Sequence, residues 1–419
     1  MPKKLYARGI AARVSAALGD TRVITLVGPR QSGKTTFAGT LVRRLTGADF
    51  STFDDPATLD AAREDPHSFV TGRRGLLVID EVQRLPELMT VIKAVVDRDQ
   101  RPGQFLLTGS SNLLAVRGLA DTLAGRMEII ELHPLTQGEL EGRPGTFTDR
   151  ALSGRPWGHG ASALAKPDYI QRACVGGFPE VLTRAGRRMH DWFDSYVRTV
   201  TEREVRSVSD VIRLSDLPRL MRFAAARHGS VLNVADLARD SAIPERTLHR
   251  YLDVLEAVFL IQRVRAWTPN LTSREARQPK IYVLDSGLAA HLRGMTAGRL
   301  MRPETSGGAD GPILEGFVLG ELTRQLSWSE ERADIFHFRD RDGREVDLVL
   351  EAYDGRVVGI EVKSATTVRK EDFRGLTLLR DRIGASFVCG VVLHTGPVAL
   401  SFGDRLTALP MSALWRPLG

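Results

Sequence analysis

Cysteine is almost missing from this chain: Cys174 and Cys389 are the only two in 419 residues. Two thiols build neither a disulfide framework nor a metal-binding spacing, and their scarcity fits a reducing, cytoplasmic setting. Long apolar runs are absent too. No stretch of the sequence approaches the ~18 residues of a membrane-crossing helix. The opening segment "MPKKLYARGIAARVSAALGD" is interrupted by Arg8 and Arg13, so it reads as an amphipathic surface helix and not as a signal peptide. There is no internal repeat and no strong charge excess. The 58 Lys+Arg against 51 Asp+Glu leave +7, which permits a polyanion partner without demanding one. What remains is ordinary globular composition, 42% hydrophobic and 26% charged, in a chain long enough for two to three domains.

Two stretches rich in Gly, Pro and Ser, 141–167 and 294–312, read as joints. They divide the chain into expected blocks at 1–150, 165–293 and 311–419. In the first block, "VITLV" (23–27), "LLVID" (76–80), "FLLT" (105–108) and "MEIIEL" (127–132) alternate with helical patterns. That is an α/β pattern, a parallel sheet with helices on both faces. The middle block reads as mostly helical. The last returns to strands, with helices at 313–326 and around 371–383.

The first strand runs into "GPRQSGKTT", Gly28-Pro29-Arg30-Gln31-Ser32-Gly33-Lys34-Thr35-Thr36, and then into a helix. This is a complete G-x-x-x-x-G-K-[ST] phosphate loop. Its glycines let backbone N–H groups point at phosphate oxygens, and the helix N-terminus adds its dipole. Lys34 is expected on the β- and γ-phosphates, and Thr35 on Mg²⁺. "LLVIDEV" ends a buried strand in Asp80-Glu81. Asp80 is the expected partner of Mg²⁺, and Glu81 the expected base for the attacking water. In "FLLTGSSN" one of Thr108, Ser110, Ser111 or Asn112 is expected at the γ-phosphate or the water. Arg126, in "LAGRMEI", is either a guanidinium for the transition state, in this subunit or a neighbour, or a surface salt bridge.

The order GPRQSGKT, LLVIDEVQRLPEL, LLTGSSN, LAGR, HPLTQGEL (133–140) and GGFPEV (176–181) resembles a family of bacterial and archaeal AAA+-type P-loop ATPases. That family carries a C-terminal domain of uncharacterised function with restriction-nuclease-like features. The resemblance covers nearly the whole chain and implies ATP as the nucleotide.

In the middle block, "VLNVADLARDSAIPERTLHRYLDVLEAVFLIQRVRAW" (231–267) has the outline of a winged helix-turn-helix. A helix at about 234–240 precedes the turn "SAIP", and Pro244 fits the first position of the next helix. That helix buries Leu248, Leu252 and Leu255 and exposes Glu245, Arg246, His249 and Arg250. Arg246, His249 and Arg250 are the expected contacts if DNA enters. The competing reading is a packing module or lid. Arg203 and Arg206, on the charged helix 197–211, are offered to nucleotide or a neighbour, or simply to solvent.

The last block contains "GREVDLVLEAYDGRVVGIEVKSA" (343–365), a hairpin turning at Asp354-Gly355. Acidic residues on neighbouring strands can share a divalent ion, and Glu361 and Lys363 share one face of their strand. The block resembles the PD-(D/E)xK nucleases, an α/β restriction-endonuclease-like fold. That resemblance implies Glu315 on the first helix, Asp347 on the next strand and Glu361-Val362-Lys363 after it. Glu315, Asp347 and Glu361 would then ligate Mg²⁺ or Mn²⁺, and Lys363 would position the attacking water. Val346 stands where the motif's Pro would be.

The sequence therefore predicts a Mg²⁺-dependent ATPase whose turnover gates a nucleic-acid-directed, nuclease-like domain acting on DNA or RNA. It also allows an ATP-switched regulator or toxin–antitoxin-like system with an inactive nuclease-like domain and a protein or DNA partner; either reading admits a homo-oligomer and no membrane.

Overall fold

β-branched and leucine-rich runs make the strands of the first block, and the computed structural model of the protein describes residues 4–71, 75–109, 123–205, 214–270, 272, 274 and 277–417. Helix α1 (Ala11–Asp20) leads into β1 (Val23–Val27), the phosphate loop and α2 (Lys34–Val42). β2 (Asp49–Thr52), β3 (Leu77–Asp80), β4 (Phe105–Thr108) and β5 (Met127–Glu131) complete a five-stranded sheet, ordered β2-β3-β4-β1-β5. Every neighbouring pair is parallel. Such strands are covered on both faces, which is why β1, β3 and β4 are apolar runs buried along their whole length. Val23, Val27 and Ile79 face one core, together with Leu88, Ile92 and Val96 of α3 (Leu88–Arg98). Ile24, Leu26 and Val78 face the other, with α1 and α2. Because β4 lies between β1 and β3, the phosphate loop, Thr108 and Asp80-Glu81 emerge side by side from one edge of the sheet.

The middle block begins with α4 (Lys166–Val175) and α5 (Arg187–Thr199), which continues into a π-helical turn, Val200–Glu204. Then come α6 (Leu217–Ala226), β6 (Ser230–Val231), α7 (Val234–Ser241), α8 (Glu245–Ala257), β7 (Ile261–Val264), β8 (Lys280–Val283) and α9 (Ser286–Leu292). The three strands form a small antiparallel sheet in the order β6-β8-β7. Asn233 caps α7 by accepting from Asp236 N at 3.2 Å. Pro244 is the N-cap of α8 and not its first residue. Leu248, Leu252 and Leu255 are buried, while Glu245, Arg246, His249 and Arg250 are exposed.

The last block runs α10 (Asp310–Leu326), β9 (Ala333–Arg339), β10 (Glu345–Ala352), β11 (Val357–Lys363), α11 (Arg374–Ile383), β12 (Phe387–His394), β13 (Leu400–Ser401) and β14 (Leu406–Pro410). Its six-stranded sheet is ordered β13-β14-β12-β11-β10-β9. β10 and β11 pair antiparallel across the Asp354-Gly355 turn, and β11 pairs parallel with β12.

The two joints are not loose. Phe147, Ala151 and Leu152 are buried, Phe147 stacks on Trp157 at 4.9 Å between ring centroids, and Ser162 N donates to Pro397 O at 2.7 Å. Apolar side chains inside the glycine- and proline-rich stretch strap it to the C-terminal sheet. Nor is there a gap between the middle and last blocks: Leu252, Leu288, Phe317, Leu322, Leu348 and Ile360 share one core. Helix α10 is its strut. Glu321 Oε1 accepts from Gln137 N at 2.9 Å, Gln325 Oε1 accepts from Phe147 N at 2.9 Å, and Gln325 Nε2 donates to Leu414 O at 2.6 Å. Arg324 donates to Leu135 O at 3.0 Å and pairs with Asp285 at 3.1 Å.

Candidate functional site

The phosphate loop needs its glycines for two different reasons. Gly28 has φ 146, and a Cβ there would stand 2.3 Å from Leu132 O. Gly33, at φ 100, makes the left-handed step into α2 that a side chain would resist. Lys34 is buried beneath the curl and donates to Gly28 O at 2.8 Å and Pro29 O at 3.0 Å. Burial pulls its pKa down to about 8, opposed by the charges of Glu81, Glu204 and Asp80.

Asp80 is the polar centre of the strand tips. Thr35 Oγ1 donates to it at 2.9 Å, Thr52 Oγ1 at 3.1 Å, and Thr108 Oγ1 donates as well. Of the four polar residues expected after β4, Thr108 reaches Asp80. Ser110, Ser111 and Asn112 lie outside the described residues, as does Arg206. Glu81 sits at φ 57, an uncommon conformation for a side-chain-bearing residue and one that clusters at functional sites. Burial, then the neighbouring Asp80 charge, raises its pKa above the ordinary carboxylate value.

Beside the loop lies a cavity of about 530 Å³, bordered by Tyr6, Arg30, Phe37, Leu41, Glu81 and Pro179 among others. The opening segment is therefore part of a pocket wall as well as a surface helix. Ser32 Oγ is buried without a hydrogen-bond partner among the described residues. A buried hydroxyl, a buried ammonium and a hydroxyl-carboxylate pair are the donor set that a nucleoside triphosphate and Mg²⁺ require, so the residues present fit both.

Three charged residues at this site were not singled out from the sequence. Arg8 donates to Ser32 O at 2.9 Å and pairs with Glu139 at 3.0 Å. Glu139 closes a capping box with Thr136, whose T-x-x-E signature inside "LTQGEL" was readable. Arg8 left no sequence signal. Glu204 of the π-helical turn pairs with Arg30 at 2.6 Å. GGFPEV is tied in as well: Gly177 O accepts from Leu135 N at 2.8 Å, and Gly177 N donates to Asp285 at 2.8 Å.

Arg126 lies elsewhere. It precedes β5, whose strands all run parallel, so it sits at the edge opposite the phosphate loop, about one strand length or ~16 Å away. Asp97 of α3 grips it through two contacts, one of them at 3.0 Å. Of the two readings the sequence left open, the structure has the surface salt bridge, at the sheet edge away from this chain's own phosphate loop. Arg126→Ala should change turnover of the isolated chain by less than ~2-fold, since a solvent-screened surface ion pair far from the phosphates contributes little. Phosphate release at saturating ATP is the measurement.

The C-terminal residues come together, but not around an open ion site. Val362 N donates to Asp347 Oδ2 at 2.9 Å, and Lys363 Nζ pairs with Glu361 at 2.8 Å. Lys280, from β8 of the middle block, inserts its ammonium 2.9 Å from Glu315 and 3.5 Å from Asp347. Tyr282 Oη donates to the same Glu315 oxygen at 2.5 Å. The Lys280 side chain is 3% exposed. Burial alone would lower its pKa, but Glu315 and Asp347 hold it above the ordinary lysine value. Glu361 is pushed up by burial and by Asp347. Among the described residues, no three His, Cys, Asp or Glu side chains are grouped to hold a metal. Glu315, Asp347 and Glu361 thus do not fit a metal in this arrangement: an internal cation occupies the space between two of them.

Arg265, Trp267 and Arg274 are docked on the same block. His337 N donates to Arg265 O at 2.9 Å, Trp267 N donates to His337 O at 2.6 Å, and Arg274 pairs with Glu351 at 2.8 Å.

Three family models match separate parts of the chain. A family model described as an AAA domain matches residues 20–141, and two described as domains of unknown function, DUF8612 and DUF4143, match 166–299 and 310–414. The uncharacterized proteins Rv2008c of Mycobacterium tuberculosis and Mb2031c of Mycobacterium bovis are each 32% identical over 364 residues, covering 86% of this chain and 74% of the relative. Among solved structures, a Thermotoga maritima RuvB variant is 18% identical over 66% of this chain and 97% of its own, with a TM-score of 0.30. AMPPCP-bound DnaA from Aquifex aeolicus is 13% identical over 61% of this chain and 92% of its own, also at 0.30.

Proposed function

The chain belongs to the AAA-domain family of the mycobacterial proteins Rv2008c and Mb2031c, and from there we propose an ATP-hydrolysing switch that drives a nuclease-like module whose acid cluster is self-neutralised. The observation that carries the ATPase reading is the convergence of Lys34, Thr35, Thr108 and Glu81 around Asp80 at one sheet edge. Lys34 would turn from its loop carbonyls to the β- and γ-phosphates. Backbone N–H groups from Pro29's successors to Thr36 would cradle the chain of phosphates, with Arg30, Gln31 and Ser32 beside it. Mg²⁺, when bound on Thr35 and Asp80, neutralises charge on the phosphates. Glu81 would take the proton of the attacking water, and its raised pKa suits that role near neutral pH. Phosphate release from ATP tests the reading. Lys34→Ala should abolish both binding and turnover, and a Lys34→Ala variant that hydrolyses normally would end the assignment.

The helix-strand-helix-helix-strand-strand order of 217–283 supports a winged-helix reading of the middle block. Arg265 and Trp267, which follow β7, are however hydrogen-bonded to His337 rather than free for a groove. This favours a packing role over direct DNA readout, with a protein as the switched partner. One observation favours the nuclease reading instead: Asp347 on β10 and Glu361 and Lys363 on β11 are adjacent, with α10 before the hairpin and α11 after it. Incubation with DNA and RNA, with Mg²⁺ or Mn²⁺ and with or without ATP, separates the two. No cleavage is expected. Cleavage lost on Asp347→Ala and Lys363→Ala would restore the nuclease.

A further inference from the structure

A π-helical turn is rare, and where it interrupts an α-helix it is frequently at a functional site. Here the turn Val200–Glu204 delivers a carboxylate from the middle block to the phosphate loop of the first block. Glu204 is nearly buried, 9% exposed at its side chain, whereas its partner Arg30 is 35% exposed and borders the cavity. The two meet at 2.6 Å. Glu204 is also close enough to Lys34 to act on its charge, alongside Glu81 and Asp80. A fixed anion of the middle block thus stands within electrostatic reach of the ammonium that would meet the terminal phosphates.

We propose that the Arg30–Glu204 pair is the device that distinguishes a nucleoside triphosphate from a diphosphate and passes the difference to the middle block. The proposal rests on the ATPase reading given above. A diphosphate leaves the pair intact. A triphosphate brings an additional anionic group toward Lys34, where Glu204 repels it and Arg30 attracts it. Arg30 then exchanges Glu204 for the terminal phosphate. The like charge of the terminal phosphate then repels Glu204 from the site, and Glu204 carries the π-helical turn and α5 with it. Arg30 and Glu204 are positioning residues in this scheme. Neither takes part in bond making.

The scheme has a consequence that a merely structural ion pair would not. Glu204 penalises ATP more than ADP, so neutralising it must change their relative affinities. The experiment is calorimetric titration of the full chain with Mg²⁺-ATPγS and Mg²⁺-ADP, for wild type, Glu204→Gln and Glu204→Asp. Glu204→Gln should keep ADP affinity and tighten the triphosphate ~10-fold relative to ADP, the effect of one charge acting across ~12 Å near a protein surface. Glu204→Asp keeps the charge and should keep the wild-type ratio. Equal ratios in all three proteins overturn the proposal, as does an equal change in Gln and Asp variants. Loss of ADP binding in Glu204→Gln also overturns it, by making the pair structural. A wild-type chain that binds neither nucleotide would instead refute the ATPase reading beneath it.

Discussion

Glu81→Gln should hold ATP as the wild type does and hydrolyse it ~10²–10⁴-fold more slowly, the range that a positioned general base contributes. The amide keeps the shape and the contact to Gln83, which lies 2.5 Å from the Glu81 carboxylate. It cannot accept a proton. Its backbone position supports the expectation: φ 57 at the end of β3 turns the side chain out of strand geometry, beside the Asp80 carboxylate that three threonine hydroxyls hold in place. A base must be ionised to work. Because burial and Asp80 raise the Glu81 pKa, wild-type turnover should fall on acidification before an ordinary carboxylate would protonate. Single-turnover phosphate release across pH, with a separate binding titration, measures both. Wild-type turnover in Glu81→Gln would assign the base elsewhere.

Lys280→Met should destabilise the chain by ~3–5 kcal/mol at pH 7–8, the usual effect of stripping one partner from a buried ion pair. The ammonium is within bonding distance of Glu315 and near Asp347, and little of it meets water. Methionine fills the space but leaves the carboxylates facing each other. The pH dependence has a definite sign. Glu315 is pushed up by burial and by Asp347 even with the ammonium present. Without it, Glu315 should bind a proton more tightly in the folded state than in the unfolded one. A carboxyl with a raised folded pKa is stabilising at acid pH and loses that contribution as pH rises. The gap between variant and wild type should therefore narrow toward pH 5 and widen toward pH 8. Lys280 itself, held above its ordinary value, stays charged throughout. Thermal unfolding across pH follows this. A second substitution, Glu315→Gln, should recover part of the loss, because the two sites are in direct contact. A flat, wild-type-like profile for Lys280→Met would mean that the ion pair does not hold the two blocks together.

Local chemistry was legible in the sequence; distant pairing was not. The strand-loop-helix at 23–42 and the apolar strand ending in Asp80 announce themselves, since glycine spacing and uninterrupted burial are properties of short segments. The same holds for α7, α8 and the β10-β11 hairpin. Arg126 reads as a nucleotide residue because it sits near motifs in sequence, but a parallel sheet returns it to the opposite edge. Lys280 sits in "QPKIYVLD" with nothing to mark it, and only the packing of β8 on α10 and β10 makes it the counter-ion of Glu315. Arg8 and Glu204 meet the phosphate loop across 24 and 174 residues of sequence. No window of local pattern spans such pairs. The Gly-rich joint at 141–167 misleads for a related reason: composition suggests a linker, while Phe147, Ala151 and Leu152 find apolar partners far along the chain.

Helix α10 makes this a protein that resists dissection. Its Glu321, Arg324 and Gln325 serve backbone groups of Leu135, Gln137 and Phe147, which the sequence assigns to the first block and the joint after it. Cutting the chain near residue 150 would strand those N–H and C=O groups without their acceptors and donors, and would bare the apolar faces of Phe317 and Leu322. Gene fragments drawn along family boundaries would thus yield sticky, incomplete pieces. Any exchange of C-terminal modules between relatives would have to carry the matching LTQGEL turn with it.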